Sequence, residues 1–506
     1  MTSGKTEQTI SRRDLLRLSV GTLAYLALSP ALGVTTAGAP RKKPNIVFIL
    51  ADDLGWMDTS LYGSKFCETP NIDRLAKRGM MFTQAYAANP LCSPTRASIM
   101  TGQYPARIGI TAPVCHLPEE KFEATASDTG APQFKSAGCE SATRLKQEYF
   151  TLAETLNAAG YRTGHFGKWH LGREPYDPLH QGFDVDVPHW FGASPAGSYL
   201  GPWKFPPNLG FQGKAGEHIE DRMAQEAVKF IKENRDQSFF LNYWAFSVHG
   251  PWDAKPGLVE KYAKKADPKS AQRNPVYGAM VQSLDEGVGR IMDTLDDLGL
   301  SDNTIIIFFS DNGGVHFKDV GGLPVTSNAP LRGGKATIYE GGTREDCIIV
   351  WPGVVKPGSK SDAIIQSVDF YPTILQMIGS KPEDAQKFDG ISIVPVLRKT
   401  GDLKREAIFC YFPHNTPATG AVPSVYVRKD NWKLIRCFHQ GDNFADTYEL
   451  YNLKDDIGET KNLADKMPDR VKKLDTLITR FLKETNAVLP KPNRRYDPAA
   501  KPPAAG

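Results

Sequence analysis

The chain is 506 residues long, enough for one large domain with a smaller companion. Its 41% hydrophobic and 23% charged content is that of an ordinary globular protein and excludes fibrous and wholly disordered classes. The formal net charge of +4 includes +2 from the first 39 residues, and no basic run extends beyond Arg41-Lys42-Lys43, which argues against nucleic acid as a partner.

Ser11-Arg12-Arg13-Asp14-Leu15-Leu16 and the mild apolar stretch Leu18 to Leu32 read as a twin-arginine export signal occupying residues 1–39. The stretch is broken by Gly, Thr, Ser and Pro and is too short to span a bilayer. Ala37-Gly38-Ala39 suits signal cleavage; Thr35-Thr36-Ala37 is the alternative, because Pro40 follows the first. No later segment has the character of a membrane span, so the expected mature protein is soluble and periplasmic or extracellular.

Residues 40–400 alternate short apolar runs with helical segments, the rhythm of a mostly parallel sheet flanked by helices. Asn45-Ile-Val-Phe-Ile-Leu50 is a buried strand ending at Asp52-Asp53. Thr69-Pro70 opens a helix that runs to Arg78, and Pro94 to Gly102 bounds another. Thr151-x-x-Glu154 forms a capping box. Ser238 to Ser247 is a strand ending near His249. Leu284, Val288, Ile291, Leu295 and Leu298 repeat at helical spacing, and Thr304 to Ser310 is a further buried strand ending at Asp311-Asn312. Residues 401–488 change character: Ala407 to Phe412, Ser424 to Arg428 and Trp432 to Phe438 predict a small antiparallel sheet, covered by a helix from about Pro468 to Thr485. Residues 489–506, rich in Pro, Ala and Lys, are expected to be a disordered tail.

In open parallel sheets ligands bind beyond the carboxyl ends of the strands, where these polar groups lie. Asp52, Asp53, Asp311 and Asn312 make an all-oxygen set suited to a hard cation. Calcium fits best and magnesium second, and no paired His or Cys ligands favour zinc. Cys92 falls at a helix N-terminus, with Arg96 one turn further on the same side. It is open to three readings: thiol nucleophile, buried structural residue, or precursor of another group. Lys168 and His170 project together from an extended segment, and His249 and the glycine-flanked Lys335 complete a cationic set. Each of these residues alone is as readily structural. Together they describe hydrolysis of an anionic ester, phosphate or sulfate.

From about Pro44 to Asp465 the chain resembles the type I sulfatases of the alkaline phosphatase superfamily. The resemblance is carried by Asp52-Asp53, Cys92-Ser-Pro-Thr-Arg96, Gly167-Lys-Trp-His-Leu-Gly172, Ser310-Asp-Asn-Gly313, Glu449-Leu-Tyr-Asn-Leu453 and Asn462-Leu463, in that order. It implies that Cys92 is oxidised by a maturation enzyme to formylglycine, which also accounts for the odd count of seven cysteines. It implies one calcium ion held by Asp52, Asp53, Asp311, Asn312 and the hydrated residue 92. It further implies that Lys168 and Lys335 offset sulfate charge, that Arg96 holds the hydrate, and that His170 takes the proton that returns the aldehyde. His249 is the expected donor to the leaving oxygen, with Lys335 as alternative. The expected substrate is a sulfated saccharide. A phosphate or phosphonate ester hydrolase and a silent carbohydrate-binding relative are the competing readings.

Further expectations concern the loops. Val114 to Glu148 reads as an insertion. The aromatic-rich stretch Pro175 to Phe211, with Trp190, Phe191, Tyr199 and Trp203, suits a sugar, aided by His180, His189 and Arg344. Cys410 with Cys437 and Cys115 with Cys139 are candidate disulfides.

Overall fold

Asn45–Ala51 (β1) has no polar alternation because both its faces are covered. Val47, Ile49 and Ala51 enter one apolar cluster, and Ile46, Phe48 and Leu50 enter another on the opposite side. This strand lies inside the principal sheet of the computed structural model, which describes residues 43–382 and 386–500. The expected export signal at residues 1–39 lies outside the described residues.

The other strands of this sheet are β2 (Met80–Tyr86), β3 (Arg162–Gly167), β4 (Val185–Val187), β5 (Phe239–Trp244), β6 (Thr304–Ser310), β7 (Arg344–Val350), β8 (Ser359–Ser361) and β9 (Ile365–Gln366). Their order is β8-β2-β7-β6-β1-β5-β3-β4, with β9 also paired to β2. β1 runs parallel to β5 and β6, and β3 runs parallel to β5, so four strands end on one edge. Only β7 runs against its neighbours β6 and β2.

Helices α1 (Pro70–Arg78), α4 (Ile219–Glu233) and α5 (Pro275–Asp297) cover one face, through side chains such as Leu75, Phe230 and Val288. Helices α2 (Cys92–Thr101), α3 (Leu152–Ala158) and α6 (Phe370–Ile378) cover the other, through Ala97, Leu156 and Ile374. The capping box at Thr151 and Glu154 is formed. Of the expected stripe on α5, Leu284, Val288, Ile291 and Leu295 are fully buried, while Leu298 is the C-cap and only partly so.

The C-terminal antiparallel sheet has strands β10 (Ile408–Phe412), β11 (Ser424–Lys429), β12 (Trp432–Cys437) and β13 (Thr447–Asn452) in sequential order. Helix α7 (Pro468–Glu484) covers it with Leu474, Leu477, Ile478 and Phe481. The strand β13 had no counterpart in the sequence reading. Lys433 of β12 ties this sheet to the larger one, pairing with Glu340 at 3.0 Å and Glu459 at 2.9 Å with every side chain fully buried. Breaking such a buried set from one side strands the remaining charges. Lys433→Ala is therefore expected to cost about 3–5 kcal/mol, read as a fall in the urea midpoint.

Neither expected disulfide forms, and all seven cysteines are free. Cys410 and Cys437 stand on strands separated by β11, which pairs with both, while the Cys139 thiol donates to the Val488 carbonyl at 3.2 Å. Nor are residues 489–500 disordered: the buried Asn493 accepts from Gly130 N–H at 2.9 Å and donates to the Ala131 and Phe134 carbonyls, strapping the tail to the 128–137 segment.

Candidate active site

The ends of β1, β3, β5 and β6 deliver their flanking residues to one place. Gly167 closes β3 at φ +108°, and a Cβ there would sit 2.0 Å from the Trp244 carbonyl oxygen, so no other residue lets Lys168 turn in beside β5. Gly313 plays the same part after β6, its missing Cβ falling 1.8 Å from the Gly341 oxygen. Asp53 and His170 occupy the left-handed region at φ 62° and 57°, a conformation that costs roughly 1–2 kcal/mol for a residue with a side chain. Asp53 N–H donates to Asp311 Oδ1 at 3.2 Å and the Ser93 hydroxyl donates to the His170 carbonyl at 2.7 Å, contacts that hold both residues there.

Helix α2 is buried all round although Ser, Thr and Arg make up much of it, because its polar side chains find partners. Thr95 donates to the Asn89 carbonyl and Thr101 to the Ala97 carbonyl. Cys92 opens this helix, 1% exposed, with Sγ 3.4 Å from His170 Nδ1. Burial pushes its thiol up, against the opposing pull of Lys168 and Lys335.

The charged groups interlock. Arg96 donates through Nε to Asp311 Oδ2 at 2.9 Å and through a terminal nitrogen to the Lys168 carbonyl at 2.6 Å, with its guanidinium over the Trp244 ring. Lys168 Nζ meets Asp52 Oδ2 at 2.6 Å, and Lys335 Nζ lies 2.7 Å from each Asp53 oxygen. Asn312 donates its amide to Asp53 Oδ1 at 2.8 Å. His249 Nδ1 donates to the Gly250 carbonyl at 2.6 Å, leaving Nε2 turned to Asp53 Oδ2 at 3.8 Å. All ten residues singled out from the sequence are thus brought together.

Burial and the neighbouring Asp52 push the Asp311 carboxyl up to about 7. Asp53 is held well below the carboxylate range despite its burial, because Lys335, His249 and Lys168 surround it. Burial, then Lys335 and Lys168, push His249 down to about 3. Burial with Lys168 and His116 likewise keeps His170 well below its ordinary value. Asp52 Oδ1 and Asn312 Oδ1 are buried with no hydrogen-bond partner among the described residues. Orphaned oxygens beside three crowded carboxylates suit a hard cation. Among the described residues, Asp52, Asp53 and His249 also place ligand atoms within 4.8 Å of one another.

One neighbour escaped the sequence reading. His116 Nδ1 lies 2.8 Å from His170 Nε2, although 54 positions separate the two residues. No local pattern marks it; it follows Cys115 within the 114–148 segment. Conversely, the expected sugar-binding residues are mostly occupied elsewhere. Tyr199, Trp203, Phe205 and Phe211 are buried in the core, and Trp203 stacks on Phe211 at 5.4 Å. His180 and His189 pair with Asp177 and Asp186 of their own loops. Arg344 is buried and donates to the Thr83 carbonyl at 2.9 and 2.6 Å.

Residues 44–380, which include every residue of this pocket, match the family described as Sulfatase. The chain belongs to the sulfatase family. Residues 334–486 of this sulfatase also match the C-terminal part of N-sulphoglucosamine sulphohydrolase. It is 36% identical to N-acetylgalactosamine-6-sulfatase of Rattus norvegicus, over 76% of this chain and 71% of the relative. A sulfatase of Formosa agariphila is 31% identical over 94% and 95% of the two chains. Among solved structures, Ps i-CgsB in complex with k-i-k-neocarrahexaose superposes with a TM-score of 0.70 at 28% identity, covering 87% of this chain and 93% of its own. The sulfatase is an α/β enzyme of sulfate ester hydrolysis.

Proposed function

We propose that this sulfatase removes sulfate from a sulfated carbohydrate, using formylglycine at position 92 and one calcium ion. The observation that carries the proposal is the convergence of Cys92, three carboxylates and three cations at one sheet edge. Asp52, Asp53 and Asp311 balance Arg96, Lys168 and Lys335, so a divalent ion leaves the pocket with surplus positive charge for an anionic ester. Asp52, Asp53, Asp311 and Asn312 would hold the ion, consistent with their two orphaned oxygens. Calcium held there would supply positive charge able to acidify the attacking hydroxyl and polarise the sulfate. Formylglycine supplies, when hydrated, an oxygen nucleophile where the thiol stands.

The chain's own side chains do the rest. Lys168 and Lys335 bind and offset the sulfate oxygens, where their charge counts most as it develops. Arg96 fixes Asp311 and the α2 segment against each other. His170, kept neutral by burial and by its cationic neighbours, accepts a proton at Nδ1 from residue 92. His249 is assigned the donor role toward the leaving oxygen, through Nε2, the ring nitrogen that faces the site. In the free site its Nε2 is bare. Burial first, then Lys335 and Lys168, keep it so, and a bound sulfate sets negative charge against those two cations.

A carbohydrate substrate is supported by the names of N-acetylgalactosamine-6-sulfatase and of the neocarrahexaose complex. Export by the twin-arginine route and a separate enzyme that matures Cys92 belong to the same proposal. The test assays sulfated mono- and oligosaccharides beside phosphate diesters, with matured enzyme. Higher kcat/KM on the sulfated sugars is the expected result; a preference for the phosphate diesters overturns the assignment.

A further inference from the structure

His170 is held at both ring nitrogens: Nδ1 faces Cys92 Sγ at 3.4 Å, and Nε2 faces His116 Nδ1 at 2.8 Å. A hydrogen bond between two imidazoles needs one N–H and one lone pair. If His170 Nε2 carries the hydrogen, Nδ1 presents a bare lone pair to residue 92. If His116 donates instead, a neutral His170 carries its hydrogen on Nδ1 and can accept nothing from residue 92. Only the first arrangement serves proton removal.

The His116 loop is built to stay in place. The buried Arg144 guanidinium donates to the carbonyls of Cys115 at 3.2 Å, Leu117 at 2.8 Å and Pro118 at 3.2 Å, pinning the chain on both sides of His116. Arg173 donates to the His116 carbonyl itself at 2.9 Å while its guanidinium lies over Phe191. Leu145 N–H donates to the Leu171 carbonyl at 2.8 Å, joining the far end of the insertion to the residue after His170. Two guanidiniums are thus committed to the backbone around a single imidazole. Solvent-exposed loops rarely carry such restraint without a task for the residue they hold.

We propose that His116 is a positioning residue that accepts the Nε2 hydrogen of His170 and thereby fixes the ring tautomer that leaves Nδ1 free to take a proton from residue 92. The inference rests on the proton-accepting role proposed above for His170. It gives the 114–148 insertion a part in the chemistry: the insertion supplies the group behind the base.

The experiment compares matured parent, H170A, H116A and H116N on one sulfate ester, with conversion of Cys92 measured in each. Asn offers a carbonyl oxygen close to where His116 Nδ1 stands, so it can accept the same hydrogen. H116A is expected to lower kcat by about 10–100-fold, with KM changed by no more than about two-fold. H116N is expected to restore most of the lost kcat. Heteronuclear NMR of the parent is expected to show His170 protonated on Nε2 and bare on Nδ1. An H116A enzyme as fast as the parent, an H116N enzyme no better than H116A, or a hydrogen on His170 Nδ1 overturns the proposal. An H170A enzyme that keeps its kcat removes the role of His170 itself, separating that failure from failure of the His116 inference.

Discussion

Replacing Cys92 by Ala is expected to lower kcat on a sulfate ester by about a million-fold, the scale on which enzymes lose rate when the attacking group is deleted. The fold should survive. Cys92 sits in the first turn of α2 with its thiol touching His170, and Ala is well tolerated in a helix, so the change in stability should stay within about 1 kcal/mol. The same variant does not tell a thiol nucleophile from formylglycine; the maturation state of residue 92 does. Burial raises the Cys92 thiol, against the opposing pull of Lys168 and Lys335, and so favours its protonated form. A protonated thiol is a poor nucleophile. Protein made without maturation is accordingly expected to be inactive, and activity across preparations should follow the fraction of residue 92 found as aldehyde by peptide mass spectrometry. Full activity with an intact thiol sinks the formylglycine reading. Undiminished activity in the Ala variant sinks any role for this residue as nucleophile.

The parts of the molecule that were legible in the sequence share a physical cause. β1 and β6 are covered on both faces, so they read as unbroken apolar runs, and the polar residues that end them had to lie at the sheet edge. Helix α2 announced itself through Pro94 and Gly102, the latter in the left-handed conformation with its N–H on the Ser98 carbonyl. What was not legible depends on partners remote in the chain. His116 acquires its significance only when the insertion folds back onto His170. Arg344 suits a sulfated sugar when read from the sequence, but it begins β7, where strand pairing buries it against β2. Tyr199 and Trp203 read as part of a sugar platform, yet composition does not say whether an aromatic ring faces a ligand or another ring; here Trp203 stacks on Phe211. The tail reads as disordered from its Pro, Ala and Lys content, yet residues 489–500 are held to the 128–137 segment by Asn493, by Lys491 on Asp128 and by backbone hydrogen bonds.

Removal of calcium is expected to abolish activity and to weaken the fold in a way that grows with pH. Without the ion, Asp52, Asp53 and Asp311 stay buried against one another, and Asp311 is pushed up to about 7 by burial and by Asp52. Its unfolded value is near 3.8. Between those two values the folded chain binds more protons than the unfolded one, so stability falls as pH rises toward 7. Asp53 shifts the opposite way, but its window lies below 3.8 and does not overlap. Calcium bound there would replace the proton as the positive charge at this site and remove the dependence. Other buried acids, among them Asp58 and Asp186 at about 6, titrate in the same range. The diagnostic quantity is therefore the difference in Tm between calcium and chelator, measured from about pH 5 to about pH 8. That difference should widen with pH, reaching about 2.7 kcal/mol of added stability when free calcium stands hundredfold above its Kd. Calcium should restore kcat after chelation, and magnesium should restore less, because it demands a regular octahedron that a crowded carboxylate set does not offer. A Tm difference that is flat with pH, or full activity in the presence of chelator, places the carboxylates outside any metal site and leaves Lys168, Lys335 and Arg96 as the only charges available to the sulfate.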